Sequence, residues 1–264
     1  MPAFDYRAPE SIDEALALLA AGGERARPFA GGTGLLVQMR QGFVAPDLLV
    51  DLKRIPELVG ISFDPERGLT VGATVPLWRL CDHPDVARHY PGLVDAVSAI
   101  GGPAIQSPAT LGGNLCHALP SADSIPARIA VGATATLASP AGRRTVPVAG
   151  FCTGPRQTLL GPGELLISLR LPPPVPRSAA RYLRFTPRGE LDLAVAGVAA
   201  WLAPSDDLAT ITAARIALGA VAPTPTPASA PSTPPAPRLC PGSTPSSPPP
   251  TCRRARPAPP AWAS

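Results

Sequence analysis

The stretch FAGGTGLLVQMR, residues 29–40, places three glycines within four positions, between an apolar run and an amphipathic one. Glycine at such a strand-to-helix junction usually serves a backbone with unusual φ and ψ angles, or one that another group must approach closely. Unpaired amides at the start of a helix also form a concave site that favours negative charge. The stretch therefore predicts either a simple tight turn or a binding site for a phosphate group.

Two common phosphate-binding motifs fit this stretch poorly. A P-loop ends in Gly-Lys-Ser/Thr, and the chain contains no such sequence. A dinucleotide-binding Rossmann motif fits better, because Gly32 and Gly34 follow a predicted strand and Asp51 ends the next one. However, Val37 occupies the third glycine position, the intervening helix is short for a crossover, and β-hairpin patterns follow. We therefore favour a different kind of phosphate site.

A second glycine-rich segment, ATLGGNLCHALPSAD at residues 109–123, offers another set of backbone amides. A dinucleotide held between two lobes has a pyrophosphate that needs donors from both sides, so we expect the two segments to act together. Asn114 is expected in a turn or left-handed conformation with its side-chain amide available. Asp123 begins a predicted helix, where it either caps that helix, the commoner role, or accepts hydrogen bonds from ribose hydroxyls. A structural role is expected for His117.

The periodicity along the chain predicts an α+β protein with two small lobes, a linker and a third unit. Ser11 and Glu14 form a capping box before a helix at about residues 12–21. Further helices are predicted at 35–42, 76–84, 91–100 and about 123–131. Strands or hairpins are predicted at 26–30, 47–52, 58–73, 133–148, 163–172, 180–185, 191–202 and 211–221, with the linker PPPVPR at 172–177.

The composition indicates a globular protein with a substantial core. The chain has 264 residues, of which 45% are hydrophobic, and no apolar run long enough to span a membrane. From Pro223 onward there are four arginines and no acidic residue, so residues 1–222 carry 19 basic and 19 acidic side chains. The net charge of +4 therefore belongs to the C-terminal segment and gives little support for nucleic-acid binding. The N-terminus lacks a secretory signal, which favours the cytoplasm.

The cysteines predict neither a disulfide framework nor a zinc or iron–sulfur site on this chain. They are odd in number, scattered, and never spaced Cys-x-x-Cys. They are Cys81, Cys116, Cys152, Cys240 and Cys252.

Four segments together resemble the FAD-binding subunit of molybdenum hydroxylases, a family that includes the medium subunit of aerobic carbon monoxide dehydrogenase and the flavin domain of xanthine dehydrogenase. They are RPFAGGTGLLVQMR (27–40), ATLGGNLCHALPSADSIPARIA (109–130), GPGELLISLRLP (161–172) and RYLRFTPRGELDLAVAGVAA (181–200). The resemblance covers about residues 1–221. It implies a two-lobed FAD-binding domain of the PCMH (vanillyl-alcohol-oxidase-like) type, followed by a small C-terminal α+β domain. We place the two FAD-binding subdomains at 1–55 and 56–175, and the C-terminal domain at 176–222.

The resemblance also implies which residues bind FAD. Two loops would hold the pyrophosphate through backbone amides: Ala30, Gly31, Gly32, Thr33, Gly34 and Leu35, with Thr110, Leu111, Gly112, Gly113 and Asn114. Ile100 would lie against the flavin, Asp123 would bind the ribose, and Leu166 would pack on the cofactor. Arg184 falls where some members carry a lysine, and would stabilise a reduced, anionic flavin unless it is a solvated surface arginine. Gly34 departs from the family, in which this position is often Asp, Asn or Glu.

The function implied by the resemblance is that of an oxidoreductase subunit. In the family, substrate is oxidised at a molybdopterin-bound molybdenum on a large subunit. Electrons pass through two [2Fe–2S] clusters on a small subunit to the flavin, and then to a small-molecule acceptor such as NAD, oxygen or a quinone. We therefore predict a chain that binds FAD, joins both partners in a dimerised heterotrimer, and carries no metal site or catalytic acid–base residue. Two alternatives stay open: a stand-alone flavin oxidoreductase of the same wider fold, and a remnant that does not bind FAD.

Residues 223–264 form a tail in which 15 of 42 residues are proline. Such a segment buries too little apolar surface to offset its ordering entropy, so we expect it to be disordered. The resemblance stops abruptly near residue 224, and the tail has the Pro, Arg, Ala and Ser content expected of GC-rich DNA read out of frame. A frameshift would leave the strands at 180–220 without covering helices and with apolar surface exposed.

Overall fold

A computed structural model of the chain describes residues 3–188 and 192–228. The α-helices are α1 Ile12–Gly22, α2 Leu35–Arg40, α3 Leu77–Cys81, α4 Pro84–His89, α5 Pro91–Ser98, α6 Pro103–Gln106, α7 Leu111–His117 and α8 Ser124–Val131. The strands are β1 Asp5–Arg7, β2 Ala26–Phe29, β3 Leu48–Asp51, β4 Ile61–Asp64, β5 Gly68–Gly72, β6 Thr134–Ser139, β7 Gly142–Pro147, β8 Cys152–Gly154, β9 Gln157–Thr158, β10 Leu165–Leu171, β11 Ala179–Phe185, β12 Ala196–Pro204, β13 Ile211–Gly219 and β14 Thr226–Ala228. The predicted α+β class is confirmed. Within the described ranges, no helix has the length and apolar character needed to cross a lipid bilayer.

The first lobe contains a parallel three-stranded sheet in the order β1-β3-β2, with α1 packed against it. Ser11 caps α1 as predicted, because its Oγ accepts a hydrogen bond of 3.2 Å from the amide of Glu14. The Glu14 carboxylate reaches back to the amide of Glu10 rather than to that of Ser11. Gly23, at φ 53°, ends the helix in a conformation that favours glycine.

The second lobe contains an antiparallel five-stranded sheet in the order β4-β5-β10-β6-β7. Strand β10 is central and apolar on both faces. Leu165 and Ile167 pack with Ile12 and Val50 of the first lobe. Leu166 and Leu169 pack within the larger core that includes residues of α3, α5, α7 and α8. Strand β10 is therefore buried on both faces, and its contacts with the first lobe join the two lobes.

Helix α7 lies in the glycine-rich segment for which the sequence predicts a loop. Its two glycines have low helix propensity, which hides the helical pattern. Thr110 caps it, since its Oγ1 accepts a hydrogen bond of 2.9 Å from the amide of Gly113. Helices α4 and α6 were also not predicted.

The third unit is an antiparallel sheet in the order β11-β12-β13-β14, and it packs against α5 and α8 of the second lobe. The side chains of Tyr182 and Ala199 face those helices and are buried. The opposite face is apolar and open, with Leu183 75% exposed and Phe185 64% exposed. The strand predicted at 191–202 corresponds to β12, which begins at Ala196 and ends at Pro204.

The tail predicted to be disordered begins at residue 223, but its first residues include a short strand. Thr226–Ala228 pair with Ile216–Leu218 as β14. An edge strand offers unpaired backbone groups that a short segment can satisfy, and proline is tolerated at such an edge. Residues 229–264 lie outside the described residues, and so does the remainder of the tail prediction.

Two glycines allow backbone segments to meet at distances that no side chain permits. A Cβ at Gly31 would lie 2.0 Å from the carbonyl oxygen of Pro108, and one at Gly112 would lie 2.5 Å from that of Ala73. These glycines therefore have a packing role in the folded chain, whether or not a ligand is bound.

We expect Gly112→Ala to lower the free energy of unfolding by about 1–3 kcal/mol, the usual cost of overpacking, because the new methyl group meets backbone. Gly60→Ala is the matched control, since a Cβ at Gly60 meets nothing within 4 Å. That variant is expected to stay within about 0.5 kcal/mol of the unmodified chain. Urea denaturation without added cofactor measures both, and equal stabilities would contradict the packing role.

Candidate functional site

The structure brings the two glycine-rich segments together. The loop at residues 30–35 joins β2 to α2, and its Gly31 lies against Pro108, just before α7. Gly34 lies against the imidazole of His117 at the end of α7, where a Cβ would be 3.1 Å from Cε1. A side chain at position 34 would press on this ring. The two segments thus form adjoining walls of one region.

Three successive amides of the first loop are available to a ligand. In the described part of the chain, no hydrogen bond is donated by the backbone amide of Gly32, Thr33 or Gly34. The carbonyls of Gly32 and Gly34 are engaged, since they accept from the amides of Leu36 and Gln38 at 2.9 and 3.1 Å. Gly32 has φ 71°, which orients this backbone in a way that suits glycine. Such a row of amides binds anions.

Lys53 fixes the start of this loop. Its ammonium group donates to the carbonyl oxygen of Ala30 at 3.0 Å and to Asp51 Oδ1 at 2.7 Å, and lies 4.4 Å from the centroid of the Phe29 ring. Asp51 also accepts a hydrogen bond from the Tyr6 hydroxyl. The Asp51 carboxylate is therefore bound by side chains of the protein itself. In a Rossmann site this carboxylate would bind a ribose instead, so the contacts agree with the poor fit of that motif.

The second segment differs from its expected conformation at Asn114. This residue was expected in a turn or left-handed conformation, but it lies inside α7, and its amide donates to the carbonyl oxygen of Thr110 at 2.9 Å. The amide of Gly113 is occupied by the Thr110 hydroxyl. The backbone amides of this segment are therefore less available to a phosphate than those of the first loop.

A cleft of about 290 Å³ lies where α7, the turn after α5 and the loop before α8 meet the third unit. It is lined by Ile100, Gly101, Ile105, Asn114, His117, Leu119, Ser121, Ala122, Asp123, Arg184, Asp192 and Leu193. Of the predicted site residues, Ile100, Asn114, Asp123 and Arg184 meet in this cleft. Leu166 is 3% exposed within the core and is not part of the lining, so its contact with a cofactor stays a prediction.

Sequence reasoning missed several lining residues, of which Leu193 is the most exposed at 70%. Ile105, Leu119 and Ser121 carry no chemical signal of their own. The available clue was their position, because Leu119 and Ser121 lie within the glycine-rich segment 109–123 and Ile105 shortly precedes it.

Asp123 is buried and does not cap α8, so the capping interpretation is wrong. Its Oδ1 accepts a hydrogen bond of 2.7 Å from the Tyr182 hydroxyl, and its Oδ2 lies 3.4 Å from Arg184 Nη1. Burial raises the pKa of Asp123, and these two partners offset part of that rise. Burial also raises the pKa of Tyr182, which stays a neutral donor. The site thus holds a carboxylate that is only partly compensated by protein groups.

Arg184 is not a solvated surface arginine. Its side chain is 19% exposed, and its Nη1 lies 3.4 Å from both Asp123 Oδ2 and the carbonyl oxygen of Asp192. The positive charge predicted to act on a flavin is therefore shared with Asp123.

His117 connects α7 to the first lobe. Its Nδ1 lies 3.1 Å from Gln38 Nε2 on α2. Burial lowers its pKa, with a further contribution from Arg156, so the ring is neutral at pH 7. These contacts agree with the structural role expected from the sequence.

Among the residues that the structure describes, no three His, Cys, Asp or Glu side chains are grouped so that they could hold a metal ion. Within the described residues, Cys81, Cys116 and Cys152 form no disulfide bond.

The raised pKa of Asp123 predicts a pH dependence of stability. A folded-state pKa above the ordinary value of 3.8 contributes stability below that value and loses it as the pH rises through the folded pKa. We therefore expect the unfolding free energy of the unmodified chain to fall, relative to that of Asp123→Asn, as the pH rises from 4 to 8. Urea denaturation of both proteins across this range, without cofactor, measures the difference.

Asp64→Asn provides a control that should show no such trend between pH 4 and 8. Hydrogen bonds from the amides of Glu66 and Arg67 lower the pKa of Asp64, so its contribution is present above pH 3.8 and lost as the pH falls. The same trend for both variants would contradict the assignment of a destabilising burial to Asp123.

Comparison with known proteins identifies the family. Residues 2–174 match the family described as the FAD binding domain in molybdopterin dehydrogenase. The chain is 39% identical over 225 residues to the carbon monoxide dehydrogenase medium chain of Hydrogenophaga pseudoflava, covering 84% of this chain and 76% of that one. It is 33% identical over 221 residues to the putative xanthine dehydrogenase FAD-binding subunit of Escherichia coli, covering 83% and 75%.

Solved structures agree with this assignment. Carbon monoxide dehydrogenase from Hydrogenophaga pseudoflava, in a form that lacks the Mo-pyranopterin moiety, superposes with a TM-score of 0.81 at 37% identity, covering 86% of this chain and 77% of that one. Quinoline 2-oxidoreductase from Pseudomonas putida gives 0.78 at 36% identity, covering 85% and 76%. The two-lobed fold and the FAD cofactor expected from the resemblance are confirmed. The chain belongs to the family of FAD-binding domains of molybdopterin dehydrogenases.

Proposed function

We propose that this chain is the FAD-binding electron-transfer subunit of a molybdenum-containing hydroxylase or dehydrogenase. The observation that carries the proposal is the row of amides at residues 32–34, which have no hydrogen-bond partner in the described chain and end at Gly34, against the His117 ring that lines the cleft. The family match and the names of the relatives, a medium chain and a FAD-binding subunit, support the same function.

The available groups fit the parts of FAD. The amides of Gly32, Thr33 and Gly34 would hold the pyrophosphate, with Asn114 contributing from α7. The Asp123 carboxylate would accept hydrogen bonds from the ribose hydroxyls, and this partner would compensate for its burial. Ile100 would give an apolar contact to the flavin, and Arg184 would place positive charge beside it. These assignments describe binding and orientation, and none of them requires a catalytic acid or base on this chain.

Bound FAD supplies chemistry that no side chain has, because it accepts electrons singly and releases them in pairs. In this proposal the electrons come from [2Fe–2S] clusters on a small partner subunit, which receive them from the molybdenum centre of a large one. A small-molecule acceptor then takes them from this chain. The partners, the dimerised heterotrimer and the cytoplasmic location are parts of the proposal. The subdomain division at 1–55 and 56–175 is also proposed, and falls between β3 and β4 and after β10.

Purification of the isolated chain tests the function. We expect a yellow protein with flavin absorbance, whose flavin is reduced when the prereduced iron–sulfur subunit is added in a stopped-flow instrument. The isolated chain should not oxidise substrates alone. Substrate turnover without partners would indicate a stand-alone flavin oxidoreductase, and a colourless protein that does not take up added FAD would indicate a remnant.

A charge placed in the first loop tests the pyrophosphate site. Thr33→Asp is expected to weaken FAD binding by at least about tenfold, roughly 1.4 kcal/mol, because a carboxylate would repel the phosphate groups. Gly32 is unsuitable for this test, since a Cβ there would lie 2.6 Å from the Phe29 ring at a φ of +71°. Fluorescence titration of apoprotein with FAD measures the affinity.

Thr33→Asn is the matched control, because it has nearly the same shape as Asp without the charge. We expect it to bind FAD nearly as well as the unmodified chain. Equal affinities of Thr33→Asp and Thr33→Asn would show that the pyrophosphate lies elsewhere.

A further inference from the structure

Arg128, on α8, is a buried cation that the proposed function does not use. Its side chain is 0% exposed, and within the described part of the chain no carboxylate forms an ion pair with it. Its three donor nitrogens bind oxygens: Nε binds the carbonyl of Ser124 at 3.0 Å, Nη1 the carbonyl of Leu111 at 3.3 Å, and Nη2 the hydroxyl of Ser124 at 2.8 Å. Burying a guanidinium without a counter-charge is costly, and an apolar side chain would fill this space at lower cost. The hydrogen bonds therefore indicate a role beyond packing.

These hydrogen bonds have a fixed direction. A guanidinium donates and cannot accept, so the Ser124 hydroxyl must be the acceptor from Arg128 Nη2. The hydroxyl then has its own hydrogen to donate, and it donates this to Asn114 Oδ1. The Asn114 side-chain oxygen is thereby held toward Ser124 on α8, and the Nδ2 of the same amide group lies on the side away from Ser124. Asn114 lines the cleft.

We propose that Arg128 and Ser124 are positioning residues that hold the Asn114 amide with its N–H groups toward the cleft, where they donate to an oxygen of bound FAD. The inference rests on the proposed function, because it takes FAD as the occupant of the cleft. All exposed oxygens of the pyrophosphate and the flavin carbonyls accept hydrogen bonds. If the Asn114 amide were flipped, its oxygen would face these FAD oxygens and repel them.

Helix geometry supports this role. Arg128 binds both the carbonyl and the hydroxyl of Ser124, one helical turn before it, so the hydroxyl is held in one rotamer. Its bond to the carbonyl of Leu111 ties the first turn of α7 to α8. The backbone that carries Asn114 and the side chain that orients its amide are thus held by the same guanidinium.

A double-mutant cycle on the 264-residue chain tests the proposal. FAD dissociation constants of the apoproteins are measured by flavin fluorescence, and stabilities by urea denaturation. Ser124→Ala and Asn114→Ala are each expected to weaken FAD binding about tenfold, the effect of one hydrogen bond to a polar ligand. Adding Ser124→Ala to Asn114→Ala is expected to change the affinity less than twofold, because the amide to be oriented is already gone.

Two further variants separate orientation from general structure. Asn114→Asp keeps the acceptor for Ser124 but replaces the donor with a carboxylate oxygen, so we expect it to bind FAD more weakly than Asn114→Ala. Thr74→Val is the matched control, since Thr74 is 2% exposed and its hydroxyl donates to the Leu58 carbonyl oxygen at 2.8 Å, away from the cleft. It should lower stability and leave the affinity for FAD unchanged.

Three results would overturn the proposal while the unmodified chain binds FAD normally. One is a Ser124→Ala variant that loses stability but keeps full affinity. Another is an equal loss from Ser124→Ala in the presence and absence of Asn114, which would indicate a purely structural role. The third is an Asn114→Asp variant that binds as tightly as the unmodified chain. Failure of the unmodified chain itself to bind FAD would contradict the proposed function and, with it, this inference.

Discussion

The close contact between backbone segments at Gly31 and Gly112 is the constraint on which the site depends. A Cβ at either position would lie 2.0 or 2.5 Å from a carbonyl oxygen, so the segments meet only because both residues are glycine. Gly31 brings the first loop against Pro108, and Gly112 brings α7 against Ala73 after β5. The free amides of the first loop consequently lie beside the helix that carries Asn114. Packing and the proposed cofactor binding are therefore not competing explanations for these glycines, because the packing creates the region to which we assign the cofactor.

Features encoded by neighbouring residues could be predicted from the sequence. The Ser11 cap of α1 and the apolar period of the helix are local, as are the turn signals of the β4–β5 and β6–β7 hairpins. The first glycine loop could also be recognised, since its function depends on a contiguous backbone. The residues alone suggested that the two glycine segments act together on a dinucleotide, and the family resemblance added FAD as that dinucleotide.

Features that depend on distant residues could not be predicted in the same way. Tyr182 donates to Asp123 across 59 positions, and Lys53 holds Ala30 across 23. Neither pair has a local sequence pattern. Helix α7 was missed for a different reason: its glycines are selected for close approach, and they obscure the propensity that would identify a helix. The assignment of Asp123 as a cap failed because a local rule was applied to a side chain whose partner lies in another unit.

The polar groups around the cleft have a common energetic character. Asp123 is a buried carboxylate whose pKa is raised despite its two partners, and Arg128 is a buried guanidinium whose hydrogen bonds go to neutral oxygens. The amides of the first loop have no partner in the described chain. The Asp123 carboxylate and the free amides disfavour the empty fold, and under the proposed function both are relieved by a ligand that carries hydroxyl groups and anionic oxygens. Because such a ligand binds the folded state alone, its binding free energy adds to the stability of the domain. Under the proposed function, the cofactor is then part of what stabilises the fold.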